Sequence, residues 1–419
     1  MVDVYSLGRP ARNKRYQRVS LIAVFIFLVV PCSLGGAPTA MEKTRTGSSE
    51  FARFTRIVAV AVVDTVLFWD RFFTKRSTVV SPDSLHRIAD PSSRFYQDYL
   101  AYKHGRIGRA DLVARLPHVA LIGDSLSKNF YVSSVASVFW RARTEEQRNW
   151  FLDTGRSANS IYSLYERMNE LTPLVATEYA RTGAIVSAQA SDEDLLHMVG
   201  HADNFARQVD ELLKAKRFPD LLLIWIGHNN LCWTTDLTAE EKKHPEIALP
   251  RQTTAFKTNY VRQLRRILDR AKKEDHKISI VVFGLVNTKG YFAARETAEA
   301  MRRNDRKLFP YAEVDYVRCE AMKPEYRRNI VRLELAINRE LRSSVRALGN
   351  ELRSSPKVRL QYSGVLAEKN IDDLSLLSRY DAWHLSQKGH DFVAQTVFDA
   401  LTPSFDFLAI RSEPRTAKR

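Results

Sequence analysis

Cysteine is scarce in this 419-residue chain: Cys32, Cys232 and Cys319 are too few and too scattered for a disulfide framework or a zinc site. Cys232 and Cys319 could pair in an oxidising compartment, but nothing in their spacing demands it. The chain also lacks a Walker A pattern and any G-x-G-x-x-G after a strand, which leaves nucleotide binding without support. No internal repeat or low-complexity tract interrupts it. "HMVGH" sets His197 and His201 one helical turn apart. It has no evident third ligand and no Glu at the second position of a zinc-hydrolase motif, so no metal is expected.

Acidic residues are in the minority, 48 against 64 Lys and Arg, for a net charge of +16. The excess is uneven. Residues 1–18 carry five Lys/Arg against one Asp, and residues 323–359 carry ten against four Glu. Such a surface suits anionic lipid, acidic polysaccharide or nucleic acid. A solvated helix face plus a topogenic N-terminus accounts for the same counts, and no nucleic-acid partner is expected. With 45% hydrophobic and 27% charged residues the chain can bury a sizeable core, as one large domain or two ordinary ones.

Long apolar runs are equally rare. One stands out, the uncharged stretch Val19–Met41 behind the basic "RPARNKRYQR" and containing the small-residue run "GGAPTA". It matches a secretory signal peptide and is also just long enough, at ~20 residues, to span a bilayer. Preceding basic residues keep the N-terminus cytoplasmic and export the rest. The body of the chain is therefore expected in the periplasm or outside the cell, with membrane association through residues 19–41 if they are retained. Cys32 makes a poor lipoprotein site, since "VVPC" lacks the small residue expected before the cysteine. A second patch, "IVAVAVVDTVLFW" at 57–69, holds Asp64 and is short for a span, which favours a buried or interfacial helix.

Beyond residue 110, short and nearly continuous apolar runs alternate with amphipathic segments. The runs are 118–123, 149–155, 220–227, 278–285 and 358–363, and read as strands buried on both faces. Ile330, Leu333, Ile337, Leu341, Val345, Leu348 and Leu352 mark a long helix whose other face holds Arg332, Arg339, Arg342, Arg346 and Arg353. A last helix runs from about Gln387 to Leu401. This alternation predicts a five-stranded parallel sheet with helices on both faces. The expected organisation is a signal peptide or signal-anchor at 1–41, an accessory region at 42–115, an α/β domain at 116–403 and a basic tail at 404–419. Segments 172–200, 231–252 and 288–325 read as strandless inserts that could form lids or rim a site.

In a parallel sheet the strands' C-terminal ends share one edge, where ligands bind. Four polar clusters fall beyond strands or near the C-terminus: Gly123-Asp124-Ser125, Gly155-Arg156-Ser157-Ala158-Asn159, Gly227-His228-Asn229-Asn230 and Asp381-Ala382-Trp383-His384. Together they supply an exposed hydroxyl, an imidazole to accept its proton, a carboxylate to orient that imidazole, and N–H donors for an oxyanion. Asp-Ser-Leu recurs at 83–85 with no apolar run before it, where it reads as a turn or cap. "GDSLS" lacks the final glycine of G-x-S-x-G, which disfavours the α/β-hydrolase elbow.

The ordered set "IGDSLS", "TGRSANS", "IGHNN" and "DAWHLSQKGH" resembles the SGNH (GDSL-type) hydrolases over roughly residues 115–402. The resemblance implies a flavodoxin-like three-layer α/β/α sandwich that hydrolyses esters without a cofactor. It carries over Ser125 as nucleophile, His384 as base and Asp381 as the partner of His384. The oxyanion donors it implies are the Ser125 N–H, Gly155 and Asn229, and the implied partner is an ester substrate, a carbohydrate acetyl ester or a lipid. His228 reads as a wall residue rather than a second base. One departure is Asn230 where the family usually has Asp, for which changed loop bonding is expected. Acyl transfer to an envelope glycan by the same residues, or a non-catalytic module binding polyanions, are the alternative readings.

Overall fold

Backbone groups buried on both sides of a strand must find partners in the sheet itself, and the short apolar runs do so. In the computed structural model the strands are β1 (Thr78–Val80), β2 (His118–Gly123), β3 (Val175–Glu178), β4 (Leu221–Trp225), β5 (Ile278–Phe283) and β6 (Val358–Ser363). They form one sheet in the order β1-β3-β2-β4-β5-β6. β3 through β6 run parallel, and β1 closes the β3 edge antiparallel. The structure describes Thr78–Val80, Pro91 and residues 95–410, apart from 129–148, 153–160, 182, 187–203, 233–237, 306, 310–318, 320–321 and 380. The apolar segments 19–41 and 57–69, the second Asp-Ser-Leu, Gly155 and the His197/His201 pair lie outside these residues. Among the described residues no helix is long and apolar enough to cross a membrane, and no group of three or more His, Cys, Asp or Glu could hold a metal ion.

The helices are α1 (Tyr96–Lys103), α2 (Arg109–Arg115), α3 (Leu164–Asn169), α4 (Phe205–Lys214), α5 (Ala239–Lys243), α6 (Leu249–Lys273), α7 (Thr288–Asn304), α8 (Arg327–Glu351), α9 (Val365–Glu368), α10 (Gln387–Ala400) and α11 (Thr402–Leu408). Strand alternation assigns them to layers. On β6, Arg359 and Gln361 bond Pro403 O and Ser404 Oγ of α11, while the next ring along, Tyr362, lies beneath Arg342 of α8. α11 and α8 therefore cover opposite faces. The expected α8 stripe is buried as its spacing requires, from Ile330 through Leu348. α10 starts where Ser386 caps it by accepting from Gly389 N.

Two strand expectations need correction. The apolar run predicts a strand over 149–155, but residues 149–152 are not one. Asn149 Oδ1 accepts from Phe151 N and Leu152 N, and the Trp150 and Phe151 carbonyls accept from Leu164 N and Tyr165 N, so these groups are committed to a loop. The fifth parallel strand is instead β3, inside the expected insert 172–200. The boundary at 403 falls within α11, whose Phe405 and Leu408 are core residues. The accessory region also contributes β1 to the sheet, while α1 and α2 pack Tyr99, Leu112 and Leu116 against Val175.

Candidate functional site

The end of β2 is fixed from several directions. Gln208 of α4 caps it with paired bonds: Gly123 N donates to Gln208 Oε1 (3.0 Å) and Gln208 Nε2 donates to Gly123 O (2.8 Å). Gly123 has no room for a side chain, since a Cβ there would lie 2.3 Å from Ser127 Oγ. Asp124 then caps a short 3₁₀ turn, Ser125–Ser127, by accepting from Leu126 N (3.1 Å). Ser125 thus opens a turn at the C-terminal end of a buried parallel strand, and is itself 5% exposed. The capping belongs to Asp124, not to Ser125.

The second oxygen of Asp124 ties this turn to the end of β4. Oδ2 accepts from Gly227 N (3.2 Å), His228 N (3.1 Å) and His228 Nδ1 (2.8 Å). Val286 N donates to His228 Nε2 at 3.3 Å, so the proton of the neutral ring sits on Nδ1. His228 therefore bridges the ends of β2, β4 and β5 with both nitrogens engaged.

Asn229 and Asn230 join the same turn to the segment after β3. Asn229 Nδ2 donates to Ala184 O (3.0 Å), which orients its amide. Asn230 Oδ1 accepts from Val186 N (2.9 Å), a bond a carboxylate could equally accept. Gly227 sits at φ +128°, and a Cβ there would lie 2.9 Å from the Phe256 ring. At the turn's far end a disulfide joins Cys232 to Cys319.

Asp381 and His384 meet before α10. Asp381 Oδ1 accepts from Trp383 N (2.9 Å) and His384 N (3.1 Å), and Oδ2 lies 2.5 Å from His384 Nδ1. Burial pushes the Asp381 carboxyl up. The His384 charge and these hydrogen bonds outweigh burial and hold it below the usual carboxylate range. The pair stands at the same edge as the β2 and β4 turns, because Tyr291 of α7, just past the end of β5, donates its hydroxyl to Ala382 O (2.9 Å). Of the sequence candidates, Asp381 and His384 are in direct contact, Ser125 and Asn229 occupy strand-end turns, and Gly155 lies outside the described residues.

Other residues at this edge escaped the sequence reading. Lys128 and Glu178 form a buried ion pair (3.2 Å) that joins the turn after Ser125 to the end of β3. His390 Nδ1 accepts from Trp150 N (3.2 Å). Burial, then the charge of His384, lowers the pKa of His390 to about 3, which keeps the ring neutral. No local motif announces these partners, which come together only in the folded sheet.

A model of the GDSL-like lipase/acylhydrolase family matches residues 119–397. No curated protein matches the chain. Similar solved structures include the lipase Lip_vut3 from a goat rumen metagenome, at 16% identity and TM-score 0.37, covering 68% of this chain and 97% of that one. A family two carbohydrate esterase from Cellvibrio japonicus aligns at 12% identity and TM-score 0.35, covering 70% of this chain and 62% of that one. One from Clostridium thermocellum, solved with cellohexaose, aligns at 12% identity and TM-score 0.32, covering 70% and 65%.

Proposed function

The chain belongs to the GDSL-like lipase/acylhydrolase family and is an ester-hydrolysing enzyme, and on that premise we propose that it is an exported serine esterase using Ser125, His384 and Asp381. The observation that carries this reading is the 2.5 Å contact between Asp381 Oδ2 and His384 Nδ1. A carboxylate on Nδ1 fixes the tautomer in which Nε2 takes a proton, and it stabilises the imidazolium that results.

Ser125 Oγ attacks the acyl carbonyl while His384 Nε2 removes its proton. The oxyanion is held by the Ser125 N–H, by Asn229 Nδ2 and by Gly155, whose part rests on the sequence resemblance. Collapse expels the alcohol, which takes the proton back from His384. Water, deprotonated by His384, then attacks the acyl-enzyme; the bond to Ser125 Oγ breaks, Oγ takes that proton back from His384, and the acid is released. One N–H of the Asn229 amide is spent on Ala184 O, and the other is the oxyanion donor.

The Cys232–Cys319 bond supports export, since such bonds persist in oxidising compartments. Membrane association belongs to residues 19–41. The test is a chain-length series of p-nitrophenyl esters, wild type against Ser125→Ala. Hydrolysis that disappears in the variant supports the mechanism, and hydrolysis that survives sinks it. A preference for acetyl esters assigns a carbohydrate deacetylase, and a preference for long chains a lipase.

A further inference from the structure

The segment 288–325 reads from sequence as a lid or rim. Its helix α7 instead contacts the backbone of the Asp381–His384 turn at two successive residues. Arg295, fully buried at 0% exposure, donates from Nη1 to Asp381 O (3.2 Å). Tyr291, one turn earlier, donates to Ala382 O (2.9 Å). Its ring also packs edge-on against Trp383, with centroids 4.9 Å apart. Three consecutive residues of the turn are thus gripped by one helix face.

The turn needs such a grip. Ala382 sits at φ +50°, in the left-handed region that an alanine adopts only at a cost of about 1 kcal/mol. A turn that prefers another conformation keeps this one only if its surroundings hold it. A buried guanidinium is an expensive way to hold one carbonyl unless it is paired, and here it is. Arg295 Nε donates to Glu299 Oε1 (3.0 Å), and Glu299 also accepts from Arg327 Nη2 (2.6 Å). The Arg295 fork is therefore fixed before it reaches the turn.

We propose that α7 is the positioning element of the acid–base pair, with Arg295 and Tyr291 as positioning residues that set the reach of His384 without touching substrate. This rests on the reading of Asp381 and His384 given above. The backbone carbonyls held by α7 belong to the same two residues, Asp381 and Ala382, whose conformation aims the carboxylate at Nδ1. Weakening either bond lets the turn relax, lengthens the Asp381–His384 contact and leaves substrate binding alone.

The test compares Tyr291→Phe and Arg295→Lys with wild type on one p-nitrophenyl ester across pH. Tyr291→Phe keeps the ring against Trp383 and removes one hydrogen bond, so the expected loss in kcat is roughly threefold to tenfold. Arg295→Lys keeps the charge but loses the planar fork, and its loss should be larger. In both, KM stays within about twofold and the acid limb of kcat/KM moves to lower pH, because an imidazolium with a poorer carboxylate partner gives up its proton more readily. Phe405→Leu in α11, far from the turn, serves as the control for simple destabilisation. It should lower Tm without moving the acid limb. Variants that lower Tm but leave the acid limb and kcat in place overturn the proposal, as do variants that raise KM with kcat unchanged. If wild type lacks activity, or Ser125→Ala keeps it, the underlying reading fails instead, which separates the two outcomes.

Discussion

Two Asp–His pairs stand at the same edge of the sheet. Asp124 holds His228 Nδ1 at 2.8 Å, and Asp381 holds His384 Nδ1 at 2.5 Å. Their surroundings separate them. The far nitrogen of His228 accepts from Val286 N, and Asp124 Oδ2 also binds the Gly227 and His228 backbone. That pair is a clamp across three strand ends, and every atom that could move a proton is committed to structure. The Asp381 pair sits on a single turn held from outside by α7, with a left-handed alanine inside it. The same two residue types thus make a joint in one place and a candidate proton relay in the other. What distinguishes them is that the Val286 backbone bonds the far nitrogen of His228, whereas the Asp381–His384 turn is held through its own carbonyls by α7.

Removing each imidazole in turn separates the two pairs by the largest margin. His384→Ala should lower kcat/KM by roughly 10⁴-fold or more, as losing a catalytic base does. His228→Gln should cost about 2–3 kcal/mol of stability through unpaired buried groups, while kcat of the folded fraction stays within about tenfold. Denaturant melts and steady-state kinetics on the two variants check both statements. Equal kinetic losses would erase the distinction.

Asp381→Asn comes next, with an expected fall in kcat of roughly 10³- to 10⁴-fold, because the amide presents the wrong tautomer to His384. Asn229→Ala should cost roughly 10²- to 10³-fold in kcat if its second amide hydrogen meets the oxyanion. A change in KM alone would move Asn229 out of that role.

The smallest effect is on stability against pH. The native pKa values of His118 and His390 are lowered to about 4 and about 3. Burial is the first cause in each, with Arg217 and His276 adding to it at His118, and His384 at His390. The unfolded chain binds protons from about pH 6.5 downward that the native state refuses, so the unfolded state gains as pH falls. Stability should decline from about pH 6.5 toward 4 and 3. Asp381 has the opposite chemistry and the same direction: its depressed carboxyl contributes stability above the unfolded value of about 3.9, lost as pH falls through the native one. Melting temperatures of wild type and His390→Gln between pH 7 and 4 measure this, and the variant's decline should be shallower.

Much of the architecture was legible from the sequence because hydrophobic periodicity reports burial directly. β2, β4, β5, β6, α8 and α10 all stand where their apolar spacing placed them. β3 escapes the pattern because "VATE" is four residues long with a buried Glu178 at its end, an acid tolerable there because Lys128 and Asn149 reach it from other loops. The 149–152 run looked like a strand because Trp150, Phe151 and Leu152 are apolar and buried. The Asn149 side chain, accepting from Phe151 N and Leu152 N, and the Trp150 and Phe151 carbonyls, bonded to Leu164 N and Tyr165 N, show that it turns. At the site, the resemblance carried by "DAWHLSQKGH" points to Asp381 and His384, two residues of one turn, whereas Asp124, Gln208 and Arg295 act across sequence separations of 104, 85 and 86 residues. Such contacts follow from topology, and no local pattern contains them.

Ser125 is proposed as the nucleophile, activated by His384 and not by His228. The most direct measurement is covalent labelling with a fluorophosphonate, followed by peptide mass mapping, on wild type, His384→Ala and His228→Gln. One adduct on Ser125 is expected, fast in wild type and in folded His228→Gln, and nearly absent in His384→Ala. An adduct on any other residue, or labelling that needs His228 and not His384, would contradict it.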